Sequence, residues 1–235
     1  MQSPFALLTH DLILLPSPWA GDVSAYRTLF RKLNADADFC RVAFGADFEP
    51  LKWTDEEARD WFVNRDTATR WAVRGMGDFA LGVLPIDEKT GKTAFHTLEG
   101  QLLKNPNEEV RKVTGDGFKE LAKLFDQVRW AGYTCVREAT VESSDQPLPP
   151  WQEMVEVRYG TDPDFRGRGI ATRAEKIVMD WAVEEHGVRR FIAETHKDNA
   201  RSKHLLEKLG FEKVDTNYFQ HEQGIEWAKV VSPKA

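Results

Sequence analysis

Two cysteines, Cys40 and Cys135, are all that the 235 residues contain. That is too few for a disulfide framework or a thiolate metal cluster, and it points to a reducing, intracellular (cytoplasmic) setting. The six histidines show neither H-x-x-x-H nor H-E-x-x-H spacing, so no metal is expected. Long apolar runs are missing as well. FALLTHDLILL is broken by His10 and Asp11 and lacks a basic lead-in, so it reads as a buried strand rather than a signal peptide. No run is long enough to span a bilayer, and no membrane partner is expected. Basic charge is also short: 32 Lys and Arg against 38 Asp and Glu leave a net charge of −6. This argues against a nucleic-acid partner and mildly favours a cationic one. The sequence has no G-x-x-x-x-G-K-S/T phosphate loop and no G-x-S-x-G elbow, and Thr172 stands where the third glycine of G-x-G-x-x-G would be.

What is present suits one large domain with a buried core: 41% hydrophobic and 30% charged residues. LLTHDLILLP reads as a first strand, and Asp22 as the cap of a helix through Tyr26, Leu29, Phe30 and Leu33. Residues 34–53 read as irregular. Thr54 opens a capping box with Glu57, and RWAVRG and DFALGVLPI read as two strands around a turn. Residues 88–152 look like an excursion packed on the main domain, with a helix marked by Phe118, Leu121, Phe125 and Val128. Beyond them come a strand at MVEVRYG and a long helix striped by Ile170, Ala174, Ile177, Val178 and Trp181. His186 offers a cation at its end, with Gly187 just past the stop. A strand at VRRFIAETH follows, then a helix capped by Asp198 or Asn199, and short strands near 212–218 and 225–231.

The most informative stretch is DPDFRGRGIATRA, residues 162–174. Two glycines, each beside an arginine, stand where a helix begins. Glycine in a helix costs about 1 kcal/mol relative to alanine, so the placement asks for a cause. The first helical turn carries partnerless N–H groups and partial positive charge. Glycines let an anion approach without a β-carbon in the way, and Arg166 and Arg168 add charge, which suits a pyrophosphate. A tight strand–helix turn with exposed arginines, or a fragment of an arginine-glycine RNA tract, are the other readings of these residues.

RGRGIA fits the Arg/Gln-x-x-Gly-x-Gly/Ala signature, and the chain here resembles the GNAT superfamily of acyl-CoA-dependent N-acetyltransferases. VEVRYGTDPDFRGRGIATRA and NARSKHLLEKLGF are similar to its ribosomal-protein-alanine acetyltransferase-like branch. The resemblance covers residues 5–86 and 153–231, while 88–152 depart from it. It implies an α+β fold: a mostly antiparallel twisted sheet of about six or seven strands, flanked by helices, with a helical insertion. Two central strands, 153–160 and 188–195, would splay into a V-shaped cleft for the pantetheine arm of acetyl-CoA, the co-substrate. Tyr159, Gly160, Thr161, Arg166, Gly167, Arg168, Gly169, Ile170, Ala171, Asn199 and Ser202 would line its site, the backbone of 166–171 cradling the pyrophosphate.

By the same resemblance, a primary amine (small molecule, amino acid or peptide N-terminus) attacks the thioester directly in a ternary complex. Ser202 could help protonate the thiolate, or be an ordinary first-turn serine. Asn199 could meet the pantetheine, cap its helix, or both. Glu156 could act as a base through water, or pair with Arg158 along its strand. Tyr218 and His221 fall where the last strands approach the acceptor, and an imidazole suits proton transfer near neutral pH. His196 and His204 read as structural. The insertion could cover the acceptor cleft, restrict it to small amines, or make a dimer contact, with monomer and homodimer both open. The rival reading is a non-catalytic acyl-CoA-binding sensor or scaffold on the same fold.

Overall fold

The computed structural model describes residues 3–45, 48–141, 147–219 and 221–231. FALL and LILLP are apolar at every position, with no polar residue to face water on either side. They form β1 (Phe5–Leu8) and β2 (Leu12–Pro16), buried throughout because helices cover both faces of the sheet. The single strand expected over LLTHDLILLP is therefore a hairpin. Its turn is tied by Thr9, whose hydroxyl accepts from the Leu12 amide at 3.1 Å.

Four helices follow: α1 (Ser17–Ala20), α2 (Ser24–Ala35), α3 (Ala37–Phe44) and α4 (Asp55–Trp61). Val23, not Asp22, is the residue before α2, and Asp22 instead pairs with Arg59 at 2.8 Å. α3 occupies part of the stretch expected to be irregular, capped by the Asp36 carboxylate on the Phe39 amide. The Thr54–Glu57 capping box forms as expected. RWAVRG is not a strand. α4 continues through a π-helical stretch, Phe62–Trp71, into α5 (Ala72–Arg74). The buried residues of that stretch, Phe62, Asp66 and Trp71, recur every four or five positions, as the wider winding requires.

β3 (Asp78–Val83) returns to the sheet beside β2. The next segment adds β4 (Gln101–Leu103) and β5 (Val110–Thr114), then α6 (Gly115–Ala122). Phe125 lies in a 3₁₀ turn and Val128 precedes a strand, so the expected helix stops at Ala122. β6 (Arg129–Glu138) pairs with β3 on one side and with β7 (Val155–Thr161) on the other. Residues 129–138 thus form a central strand and not part of a peripheral excursion; the extra chain lies between β3 and β6. α7 (Ile170–His186), β8 (Arg190–His196), α8 (Ala200–Lys208), β9 (Glu212–Val214) and β10 (Gly224–Val230) complete the fold.

The described strands make one sheet in the order β4-β5-β1-β2-β3-β6-β7-β8-β10-β9. Ten strands exceed the six or seven expected, because the first strand is a hairpin and β4 and β5 extend its edge. All neighbours are antiparallel except β7 and β8. One core lies between the sheet and α7, built on Phe5, Phe79, Val155, Val157, Trp181 and Phe191. The other lies between the sheet and α2 to α4, around Tyr26, Phe30, Phe39 and Phe62. His186, read as a cation, packs its ring against Trp181 at 4.8 Å, and burial pushes its pKa down, which favours the neutral imidazole.

β6 fits between β3 and β7 through a bulge at Gly132, where the β3 register shifts between Leu81 and Gly82. A Cβ at Gly132 would lie 2.0 Å from the Gly160 carbonyl oxygen of β7, a backbone atom that cannot yield alone. Gly132→Ala is expected to cost at least about 3 kcal/mol, lowering the midpoint of thermal unfolding by roughly 6–12 °C. Gly91→Ala, in an exposed turn with open space around it, should cost only about 1 kcal/mol.

Candidate functional site

β7 and β8 run parallel but remain in register for only two pairs, Val155 with Phe191 and Glu156 with Ile192. Past Glu156 the strands part, although β7 continues to Thr161 and β8 to His196. The parted strands leave N–H and C=O groups of β7 facing a gap instead of a neighbour. An extended amide-bearing chain laid there could pair with them as a strand would.

The C-terminal end of β7 aims at the α7 start. A 3₁₀ turn at Pro163–Phe165 follows the strand, capped by the Asp162 carboxylate, which Lys32 holds at 2.6 Å. Gly167 and Gly169 then adopt φ of +75° and +71°, and Gly169 is the residue before the helix. Other residues are strained in this left-handed backbone, which is the first reason for the glycine pair. The second is space: a Cβ at either position would meet no protein atom within 4 Å. The first-turn amides of Ile170, Ala171 and Thr172 have no intrahelical acceptor, and Arg166 and Arg168 stand exposed beside them. Beside this turn a cavity of about 390 Å³ is lined by Thr172, Arg173 and Lys176 of α7, Lys208 and Leu209 at the end of α8, and the 105–108 segment. Helix dipole, open glycines and the exposed Arg166 and Arg168 suit an anion, whereas in the cavity Arg173 is held by Asp11 and Glu108 and Lys176 by Asp180.

On the α7 face of the parted strands, Tyr159 and Ser202 come together, their hydroxyl oxygens 2.7 Å apart. Burial pushes the Tyr159 phenol above its ordinary value, so it keeps its proton. Asn199 caps α8, its side-chain oxygen accepting from the Ser202 amide at 3.1 Å, which also fixes the serine. Thr134, the cross-strand partner of Tyr159, donates to the buried carboxyl of Glu175 on α7. Burial drives that carboxyl well above its usual range, toward the neutral acid. The expected set did not include Thr134 or Glu175. A Glu inside an otherwise apolar helix stripe was their only sequence signal.

On the opposite face, Glu156 does not have the surroundings of a base. It is 2% exposed and clasped by Arg137, at 2.9 and 2.8 Å, and by Arg158 at 2.5 Å. Burial alone would raise its pKa, but the two guanidinium groups outweigh burial and hold it below the usual carboxylate range. The ion-pair alternative is the one the structure supports. His221 is placed differently: Nδ1 meets both carboxylate oxygens of Glu194 on β8, at 2.9 and 2.7 Å, and the ring is exposed. Sequence reading missed Glu194, which alternation along β8 puts on the same face as Glu156. Tyr218 packs toward Met154, Ile192, Phe219 and Ala228, with its ring under the Arg190 guanidinium at 5.8 Å. His196 bonds Gln223 at 2.9 Å and ties the end of β8 to the loop before β10.

Replacing Glu156 by Gln leaves two guanidinium groups around a neutral amide, and a loss of about 3 kcal/mol is expected. The pH dependence has a defined sign. A carboxylate held below its unfolded value stabilises fully above the ordinary glutamate pKa, about 4.3, and this contribution is lost as pH falls through the lower folded value. Urea unfolding at a series of pH values should show the wild type losing stability below about pH 4.3, and Glu156→Gln losing less over the same interval.

Residues 124–212, which hold β6, the parted strands and the glycine turn, match the acetyltransferase (GNAT) domain family. The chain is 33% identical over 63 residues to the uncharacterized N-acetyltransferase YjdG of Bacillus subtilis (strain 168), covering 27% of this chain and 38% of that protein. It thus spans well under half the length of this curated relative. The fold is similar to that of an acetyltransferase from Agrobacterium tumefaciens, with TM-score 0.57, 17% identity, and 97% and 95% of the two chains covered. It is similar also to the ribosomal L7/L12 alpha-N-protein acetyltransferase in complex with coenzyme A, with TM-score 0.56, 12% identity, and 95% and 96% covered. Over residues 124–212 the chain is thus similar to the acetyltransferase (GNAT) domain family.

Proposed function

We propose that the chain transfers an acetyl group from acetyl-CoA to a primary amine within a ternary complex. The observation that carries the reading is the parting of β7 from β8 directly below the Gly167–Gly169 turn. A long thiol ester with an anionic end fits the two features together: amides along the gap, pyrophosphate on the first turn of α7. The coenzyme A complex of a protein with this fold supports the choice of donor. Lys208, for which the described residues offer no carboxylate partner, would meet a further anionic part of the same molecule at the edge of the cavity.

Acetyl-CoA supplies an activated acyl group and a thiolate leaving group; the chain's residues manage protons and position. Tyr159 and Ser202 act as one hydroxyl pair: one O–H is spent between the two oxygens, and the other donates a hydrogen bond to the departing sulfur. The imidazole of His221, oriented by Glu194, accepts the proton of the incoming ammonium. Glu156 takes no proton and holds Arg137 and Arg158 in place. Four of the residues first considered thus divide the work: Ser202 and Tyr159 on the donor side, His221 on the acceptor side, and Glu156 as structure. Residues 88–128 extend the sheet edge away from the parted strands, and their 105–108 segment reaches the donor cavity. We therefore assign this extra chain to the donor side of one acetyltransferase domain and not to the acceptor cleft.

Acetyl-CoA at a hundred times its dissociation constant should raise stability by about 2.7 kcal/mol, seen as a shift in thermal midpoint. Gly169→Val should fold at a cost of about 1–2 kcal/mol or more for its left-handed backbone, since its Cβ meets no protein atom, and lose the shift. No shift in the wild type at saturating acetyl-CoA would sink the reading. Thiol release in the presence of amines tests the chemistry. Tyr159→Phe or Ser202→Ala should lower kcat roughly tenfold each, and the double variant by less than the product of the two, with little change in KM for the amine. Unchanged kcat in the double variant would remove the pair from the mechanism.

A further inference from the structure

Beside the parted strands, the two walls of the acceptor face carry opposite charge. On the β6–β7 wall, two guanidinium groups share one carboxylate: Arg137 spends Nε and one terminal nitrogen on Glu156, and Arg158 spends only Nε. These three groups together keep one positive charge in excess. Among the described residues no partner engages the terminal nitrogens of Arg158, whose side chain is 41% exposed. Nearby Arg70 does not add to the excess, being paired with Asp66 and Asp78 at 2.8 and 3.1 Å. On the β8–β10 wall, Glu194 and Glu226 are cross-strand partners. Glu226 is consumed by the amides of Thr216 and Phe219. Glu194 meets the exposed His221.

Register fixes the distance scale between these groups. Glu156 pairs with Ile192 where the strands are still joined, so Arg158 and Glu194 each lie two residues further along, on the same face of the sheet and on opposite sides of the gap. Joined strands lie about 4.8 Å apart, and two residues past the last pair, about 6–7 Å along, the strands stand wider than that, the span a small molecule would bridge between Arg158 and Glu194.

We propose that the acceptor is a zwitterion of amino-acid type, its carboxylate held by the free fork of Arg158 and its amine by the Glu194–His221 pair. This rests on the acetyltransferase reading and narrows its substrate class. The planar fork of a guanidinium matches a carboxylate with two parallel hydrogen bonds, a geometry that an ammonium side chain does not reproduce. A polyamine would bring a second positive charge to Arg158 and be repelled.

The test pairs each of a panel of amino acids with its decarboxylated amine, using wild-type protein, acetyl-CoA and thiol detection. At least one amino acid should exceed its decarboxylated partner about tenfold or more in kcat/KM. Arg158→Gln should erase that preference, mainly through KM, while Arg158→Lys keeps part of it. Glu156 retains Arg137 in both variants, and unchanged thermal midpoints would show that the fold survives. If neither variant folds, amino-acid amides replace the variants, and wild type should reject them like the amines. Preference for decarboxylated amines or polyamines, or a preference that Arg158→Gln leaves intact, overturns the proposal. Calorimetric titration of amino acids into the protein with coenzyme A separates it from the parent reading. Binding that Arg158→Gln weakens about tenfold supports the site even without turnover, and absence of amino-acid binding removes it.

Discussion

Two strands at the middle of the sheet stay paired for two residues and then separate, and most of the site follows from that separation. A parallel pair cannot be opened freely, because each strand must satisfy its backbone elsewhere. β7 does so on its other side, where β6 pairs with it from Glu138–Val155 through Gly132–Thr161. β8 does so against β10, in register from Arg190 to His196. The gap is therefore framed by two intact ladders and does not weaken the sheet. α8 crosses its α7-side mouth through the Tyr159–Ser202 contact, so the opening is held at a set width by a hydroxyl pair.

The opposite face is organised by one buried carboxylate. Burying an ion costs several kcal/mol, recovered only with good geometry and full hydrogen bonding. Glu156 meets that condition with two guanidinium groups at 2.5 to 2.9 Å. The same pairing that satisfies Glu156 disqualifies it as a base and leaves Arg158 half free. Asp66 shows the contrasting case. Burial and the neighbouring Asp78 push its carboxyl up to about 7, despite Arg70 and the Ser17 hydroxyl. Its contribution to stability falls as pH rises from the ordinary aspartate value toward 7, opposite to that of Glu156.

The parts legible in the sequence were those where local chemistry and fold agree. The glycine pair, the Thr54 capping box, the Asn199 cap and the α7 stripe each have a mechanism within a few residues. What failed depended on distant partners. RWAVRG alternates like a strand, yet Trp71 is buried against Phe79 and Trp181 from within a π-helical stretch, a choice made by tertiary packing. RWAGYTCVRE was overlooked because it lies inside polar, loop-rich sequence, although it became the longest strand. Ser202 and Tyr159 were each legible, but their contact spans 43 positions. Glu194 carried no signal, since nothing in ETH tells that a histidine 27 positions later will reach it.

Proton accounting favours the zwitterion on grounds separate from charge matching. A lysine-like ammonium, with pKa about 10.4, is nearly four units above an ordinary imidazole near 6.5, so handing its proton to a histidine costs about 5 kcal/mol. An α-amino group in a peptide, near 8, costs only about 2 kcal/mol. A free amino acid would stand between them, because its own carboxylate stabilises the adjacent ammonium. Pairing that carboxylate with Arg158 cancels this stabilisation and adds a nearby positive charge, both of which lower the amine's pKa. The Arg158 wall of the gap would then do more than recognise one end of the acceptor: it shifts the amine's proton in the direction the reaction requires.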